Sequence, residues 1–204
     1  MSVSVTAGGF SGNPSGLTRV KIRTRRWAKT TATQQRILDA AAAVFREHGF
    51  TAATIGDVVS TSGASIGSIY HHFGGKSELF LAIHEKLSDT IGAQMAAADS
   101  PTTFDRQARG YLEAIWEHRD VAVILASDDV PPGYERIRRD SMQAWFHHLL
   151  ADQDLDISAH DALLTRVLIA VLTESAAEVM TCTDHTSAAA VMDAAATHLG
   201  RLLA

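Results

Sequence analysis

Twenty residues, Thr54–Phe73 (TIGDVVSTSGASIGSIYHHF), constrain the architecture of this chain more than any other stretch. They read as two short helices joined by a tight turn. The Thr54 hydroxyl can cap the first helix, where Ile55, Val58 and Val59 fall on one apolar face. Gly63 stands where the chain must reverse, a position that favours a residue free to take positive φ. Ser65 can cap the second helix, in which Ile66, Ile69, Tyr70 and Phe73 recur at helical spacing. Helices this short cannot bury a core alone and need a third beneath them. Thr33–Phe50 supplies it: Ile37, Ala41, Val44 and Phe45 follow i, i+4, i+7 and i+8, and Gly49 is a stop signal. Thr31 and Gln34 have capping-box spacing at its start.

After the pair, Gly74-Gly75 and Lys76-Ser77-Glu78-Leu79-Phe80 open a fourth helix. Helix, turn, helix, turn, helix followed by a long helix is the order of a helix-turn-helix reader on a connecting rod. The runs ILDAAAAVFREHGF, TAATIGDVVSTSGASIGSIYHHF and GGKSELF closely resemble the N-terminal domain of TetR-family transcriptional regulators. Tyr70, Phe73, Lys76 and Leu79 stand where that family's aromatic–lysine–leucine pattern places them. The resemblance covers roughly residues 31 to 90. It implies an all-α fold, with an N-terminal three-helix helix-turn-helix DNA-binding domain and a C-terminal helical ligand-binding and dimerisation domain. The expected division is a tail with a basic arm over 1–30, the reader over 31–77 and the regulatory part over 78–204.

Charge is divided in the same way. Residues 1–77 hold nine Lys/Arg and three Asp/Glu, a net of +6, whereas residues 78–204 hold nine and twenty, a net of −11. Such a split suggests that only the first part meets a polyanion, although uneven charge on a solvated surface has the same look. Residues 1–18 carry no charged side chain and are expected to be a flexible tail. Arg19–Lys29 (RVKIRTRRWAK) then places six cations in eleven residues, with Trp27 among them. A basic arm just before a reader can follow phosphates or enter the minor groove, and Arg23, Arg25 and Arg26 are its expected DNA contacts. A solvated basic run is the competing reading.

The rest of the chain is helical in pattern. A fourth helix is expected over Lys76 to about Ala98, and Ser100-Pro101 should open a fifth, ending near His118. Asp120 is the expected cap of a short helix, VAVILAS. Asp128–Gly133 (DDVPPG) is a loop, since two prolines and a glycine forbid regular structure. Tyr134–Ala151 is the next helix, and DQDLDIS is an acidic linker. Two long helices close the chain, over about 159–181 and 186–203. Val167, Leu168, Val171, Leu172, Ser175, Ala176 and Val179 give the first a broad face of small and apolar residues. Val191, Met192, Ala195, Leu199 and Leu202 do so for the second. Faces this broad predict a homodimer through the last two helices, as a four-helix bundle, with an ordinary intrachain core as the alternative.

The resemblance implies that the second helix of the pair enters the major groove. Ser65, Ile66, Gly67, Ser68 and His71 would then face bases. Tyr70 and Lys76 would bind phosphate, and Thr54 would hold the DNA backbone through its side chain or the helix N-terminus. His72 would face DNA or pack at the helix end. This reading helix departs from the usual base readers because it has no Arg, Lys, Asn or Gln. Bidentate recognition of guanine or adenine is therefore closed to it, and shape and the arm must contribute. The resemblance also implies a small effector bound in the C-terminal half. Phe104, Tyr111, Trp116, Met142, Trp145 and Phe146 are the candidate lining of a mostly apolar pocket, and ordinary core packing is the alternative for each.

Other classes find little footing. There is no HExxH, CxxC, GxSxG or phosphate-cradling glycine loop, and the adjacent pairs His71-His72 and His147-His148 point about 100° apart on a helix. No catalytic residue, metal site or cofactor is expected. Cys182 is the only cysteine, so no intrachain disulfide can form, in keeping with a cytoplasmic protein. Neither a secretory signal nor a membrane span is expected; the longest apolar run, Val167–Leu172, is too short. The expectation is a DNA-binding regulator, a repressor released from a palindromic operator by a small molecule. The alternative is a DNA binder that answers to no effector.

Overall fold

In the computed structural model the described residues are 31–97, 103–151 and 162–203, and among them every regular element is a helix. The order is α1 Thr31–Ala52, α2 Ile55–Ser62, α3 Ile66–His72, α4 Lys76–Ala97, α5 Phe104–Glu117, α6 Arg119–Ala126, α7 Tyr134–Ala151, α8 Ala162–Thr181 and α9 His185–Leu203. No helix among the described residues is long and apolar enough to cross a membrane.

Two hydrophobic clusters organise these helices. The first gathers Ile37, Val44 and Phe45 of α1, Val58 of α2, Ile69 of α3 and Leu79, Phe80 and Ile83 of α4. Ile124 and Leu125 of α6 and Tyr134 of α7 complete it. Phe45, Phe50 and Phe80 meet with ring centroids 5.4–5.8 Å apart, and Tyr134 stands edge-on to Phe80 at 5.0 Å. The second cluster is built on α5. Its Phe104, Ala108, Leu112 and Ile115 pack with Leu168, Leu172, Ala176 and Val179 of α8 and with Ala188, Met192, Ala195 and Leu199 of α9. The alanines at these contacts let the helix backbones approach closely.

Three boundaries differ from the pattern reading. Gly49 does stop regular helix, at φ 76° and ψ 169°, but a further helical turn follows through Ala52. Helix α5 begins at Phe104 with Thr103 at its cap position, and Ser100 and Pro101 lie outside the described residues. Helix α6 begins at Arg119, so Asp120 lies inside its first turn, where it pairs with Arg46 at 3.4 Å.

The last two helices carry a larger correction. Leu168, Leu172, Ala176, Val179, Met192, Ala195 and Leu199, expected on a partner, are buried within the chain itself. A long helix has two sides, and α5 occupies the richer one. What remains outward is a second stripe on which Leu163, Val167 and, on α9, Leu202 are exposed.

Candidate nucleic-acid interface

The reader is set by its caps. Thr54 Oγ1 accepts from the Asp57 amide at 3.2 Å, and the Asp57 carboxylate accepts from Thr54 N at 2.8 Å and from Thr54 Oγ1 at 2.7 Å. This reciprocal box ties down the start of α2. The Thr54 bonds hold the Asp57 carboxyl below the usual carboxylate value, so it is ionised. At the far end Gly63 takes φ 65° and its N–H donates to Val59 O at 2.9 Å. Two residues on, Ser65 Oγ accepts from Ser68 N at 3.1 Å and starts α3. The 63–65 turn thus aims a seven-residue helix rigidly relative to α2.

Helix α3 has one buried side and one bare side. Ile69 is fully buried and anchors it, whereas Ile66 is 57% and Tyr70 52% exposed, one turn apart. Gly67 and His71 lie beside them, both exposed, and no atom would stand within 4 Å of a Cβ at Gly67. Ser65 is exposed and Ser68 half-buried. The expected base-facing set is therefore brought together on one surface. His72 is half-buried, its ring 5.1 Å from that of His71 and 6.4 Å from that of Phe73. The Tyr70 ring stands about half in the open.

Two expected phosphate contacts are otherwise engaged. The Lys76 ammonium turns inward and donates to the carbonyls of Phe50 at 2.7 Å, Ala53 at 2.9 Å and Thr51 at 3.1 Å. An ammonium has three donors, and all three are spent on the end of α1; its charge also lies 4.5 Å from the Phe50 ring centroid. Thr54 likewise gives both its N–H and its hydroxyl proton to Asp57. Asp57 was legible as the residue three past a cap. The inward turn of Lys76 was not, because its acceptors come from a helix end twenty-odd residues upstream.

The same corner is gripped from the other side. The Asp129 carboxylate, in the α6–α7 loop, accepts from Thr51 N with both oxygens at 3.1 Å and from the Thr51 hydroxyl. These bonds, then Phe50 N–H and Lys76, hold its carboxyl below the usual value. A Cβ at Gly49 would fall on this carboxylate. The end of α1 is thus clamped by Lys76 on the carbonyls of Phe50, Thr51 and Ala53 and by Asp129 on the Thr51 amide.

Arg23, Arg25 and Arg26 lie outside the described residues. Their weight follows from the sequence. Residues 31–77 hold three Lys/Arg and three Asp/Glu and are net neutral, so the six cations of residues 19–29 are the whole positive excess of the first 77 residues.

In the C-terminal half, four of the six candidate lining residues come together. Phe104 and Phe146 meet at 5.4 Å, Tyr111 and Trp145 at 4.8 Å, and Trp145 and Phe146 at 6.4 Å between ring centroids. Burial pushes the Tyr111 hydroxyl up to about 12, so it is a donor at neutral pH. Trp116 stands apart, under Arg119 at 4.1 Å and edge-on to His185 at 6.2 Å. Met142 is half-buried. Gln107 is the residue that pattern reading missed. It lies three residues after Phe104 and four before Tyr111 on the same helix face, and its Oε1 is buried with no hydrogen-bond partner among the described residues.

Residues 37–83 match the family model described as bacterial regulatory proteins, tetR family. Over 85 residues, 42% of this chain and 43% of the relative, the sequence is 40% identical to the HTH-type transcriptional repressor AcnR of Corynebacterium glutamicum. The chain spans less than half the length of the Corynebacterium repressors it matches. Among solved structures, GusR of Salmonella enterica superposes with a TM-score of 0.67 at 20% identity, over 88% of this chain and 99% of that one. The SmeT–triclosan complex superposes with a TM-score of 0.62 at 20% identity, over 82% and 90%. At these identities the two structures speak for the fold.

Proposed function

From the premise that the chain belongs to the TetR family of bacterial regulatory proteins, we propose that it is a dimeric, cytoplasmic repressor that reads a palindromic operator and releases it on binding a small molecule. Residues 31–77 read DNA, and residues 78–204 dimerise and sense. The observation that carries this reading is the bare side of α3, where Ile66 and Tyr70 are more than half exposed on a helix locked in place by Gly63 and Ser65. Ile66 is suited to a thymine methyl, Gly67 lets the backbone approach the bases, and Ser65, Ser68 and His71 offer hydrogen bonds. Tyr70 and the 19–29 arm supply the phosphate contacts, with Arg23, Arg25 and Arg26 foremost.

Dimerisation through the outward stripe of α8 and α9 sets the two reading helices about one helical turn apart, some 34–36 Å, or a multiple of it. The effector site is the aromatic group of Phe104, Tyr111, Trp145 and Phe146, with Met142 at its margin and Gln107 as the acceptor that fixes a ligand's orientation. A buried acceptor without a donor is costly unless something supplies one. The solved complex of SmeT with triclosan is in keeping with a ligand of that kind. The turn clamped by Asp129 and Lys76 joins the α6–α7 loop to the reader, and an effector that favours the low-affinity arrangement releases DNA through it. A second reading, a regulator with no effector, is favoured by the direct ring-to-ring contact of Tyr111 with Trp145 at 4.8 Å.

Selection of binding sites from random duplex DNA at stated salt tests the function. The expected result is a palindrome with half-sites about one turn apart. Recovery of AT-rich DNA without a motif would withdraw the specific-repressor reading. The recovered operator then allows an effector screen, in which release of DNA by an aromatic ligand separates the sensor from the effectorless binder.

A further inference from the structure

Helix α3 carries two residues that its own fold does not use. Ile66 is 57% exposed and stands outside the hydrophobic cluster of the reader, although Ile69, three positions on, is fully buried in it. Gly67 lies within the helix without positive φ, and a Cβ there would meet no atom within 4 Å. Glycine inside a helix is less favourable than alanine, so neither a turn, a close contact nor propensity calls for it. Both residues belong to the first turn of α3, the part of a reading helix that meets base edges. Ile66 and Tyr70 stand one turn apart, and Gly67 and His71 form the row beside them. Gly67 therefore leaves a gap in this surface next to the Ile66 side chain.

The polar groups around the gap do not tell the two pyrimidines apart. The hydroxyls of Ser65, Ser68 and Tyr70 can each donate or accept, and the imidazole that His71 brings offers one of each in its neutral form. Such groups satisfy the O4 acceptor of thymine and the N4–H2 donor of cytosine alike. The remaining difference in the major groove is the C5-methyl of thymine, which is read by apolar contact. On α3 the exposed apolar side chain at the helix start is Ile66.

We infer that the base-specific determinant of α3 is a 5-methyl group in the major groove, held in the gap at Gly67 against Ile66. This rests on the reading of α3 as the major-groove helix. 5-Methylcytosine carries the same methyl at the same place on its ring. The ligand class is therefore the 5-methylpyrimidine rather than thymine alone. A cytosine at that position is bound weakly when unmodified and, once methylated, is bound as thymine is. Cytosine methylation of DNA thus becomes an input to this regulator, separate from any effector.

The test uses the full-length chain and the operator recovered by selection. Each thymine of a half-site is replaced in turn by deoxyuridine, which removes only the methyl. At one position affinity should fall roughly fourfold, the value of one buried methyl, and about fifteenfold when both half-sites are changed. A cytosine paired with guanine at that position should bind weakly, and its 5-methylation should regain roughly the same fourfold. In an Ile66→Ala chain both methyl effects should largely disappear, with the melting midpoint kept because Ile66 is no part of the core. Gly67→Ala should raise the melting midpoint and yet weaken the thymine operator, while the deoxyuridine form changes little, because the new methyl fills the gap. A half-site without thymine, deoxyuridine bound as tightly as thymine at every position, or a methyl effect that survives Ile66→Ala each overturns the proposal. A selection that recovers no motif removes instead the reading of α3 as the major-groove helix, and the proposal with it.

Discussion

Lys76 and Tyr70 lie six residues apart and point in opposite directions. The lysine spends its three donors on carbonyls at the end of α1, while the tyrosine ring stands half in the open with its hydroxyl free among the described residues. Tyr70→Phe should therefore weaken operator binding by about one hydrogen bond, roughly 0.5–1.5 kcal/mol. The thermal midpoint should stay put, as for most surface substitutions, within about 0.5 kcal/mol. Titration against the selected operator and a melting curve check this together, and a lowered midpoint would make the ring a packing group. Residue identities at this scale were legible, and so were the caps, because Thr54, Gly63 and Ser65 act within three or four residues of themselves. The direction of Lys76 was not. Its acceptors are supplied by tertiary placement of α1 against α4, which no local spacing encodes.

Among the elements, the α6–α7 segment matters beyond its length. From within the nominally regulatory half it sends Asp129 to the amide of Thr51 and Tyr134 into the core of the reader. Asp129→Ala should speed amide exchange across residues 49–53 and weaken operator binding while leaving the dimer intact; unchanged exchange would show that the Lys76 bonds suffice. The prolines and glycine of 128–133 dictate a loop, and its backbone is one. The bond to Thr51 spans 78 residues and could not be read locally. The same junction is sensitive to acid. His84 Nδ1 lies 2.9 Å from the Tyr134 hydroxyl, and burial, then Arg138, holds its pKa below the ordinary 6.5. The folded state binds the proton less readily than the unfolded chain. This contribution to stability is intact above pH 6.5 and is lost as pH falls toward the lower folded value. Melting midpoints should decline below pH 6.5, and His84→Asn, which keeps a polar atom near Tyr134 but does not titrate, should flatten that decline. An unchanged slope would move the sensitivity elsewhere.

For the whole molecule, the long C-terminal helices show what sequence could and could not tell. That α8 and α9 are helices rich in small apolar residues was plain. Which of two stripes faces inward was not, since both read as apolar and the choice depends on where α5 lies. The outward stripe, with Leu163 at 71% and Val167 at 38% exposure, is the one left for a partner. Val167→Glu should yield monomers in sedimentation, because a charge inside an interface must be desolvated without a mate. Operator binding should fall with it, as one half-site is lost, while the helical signal in circular dichroism is kept. A variant that remains dimeric would place the interface elsewhere.

The three tryptophans are distributed in a useful way: Trp27 in the basic arm, Trp116 and Trp145 in the regulatory half, and none in the reader. Trp145 touches Tyr111 in the proposed effector site, whereas Trp116 lies apart beneath Arg119, so both emit from the C-terminal half. Intrinsic fluorescence is therefore silent about the helix-turn-helix. In a Trp27→Phe chain it becomes a label-free optical report from the regulatory core alone. The change in emission on adding Trp27 back belongs to the arm, and the two ends of the signalling path can be watched in one cuvette.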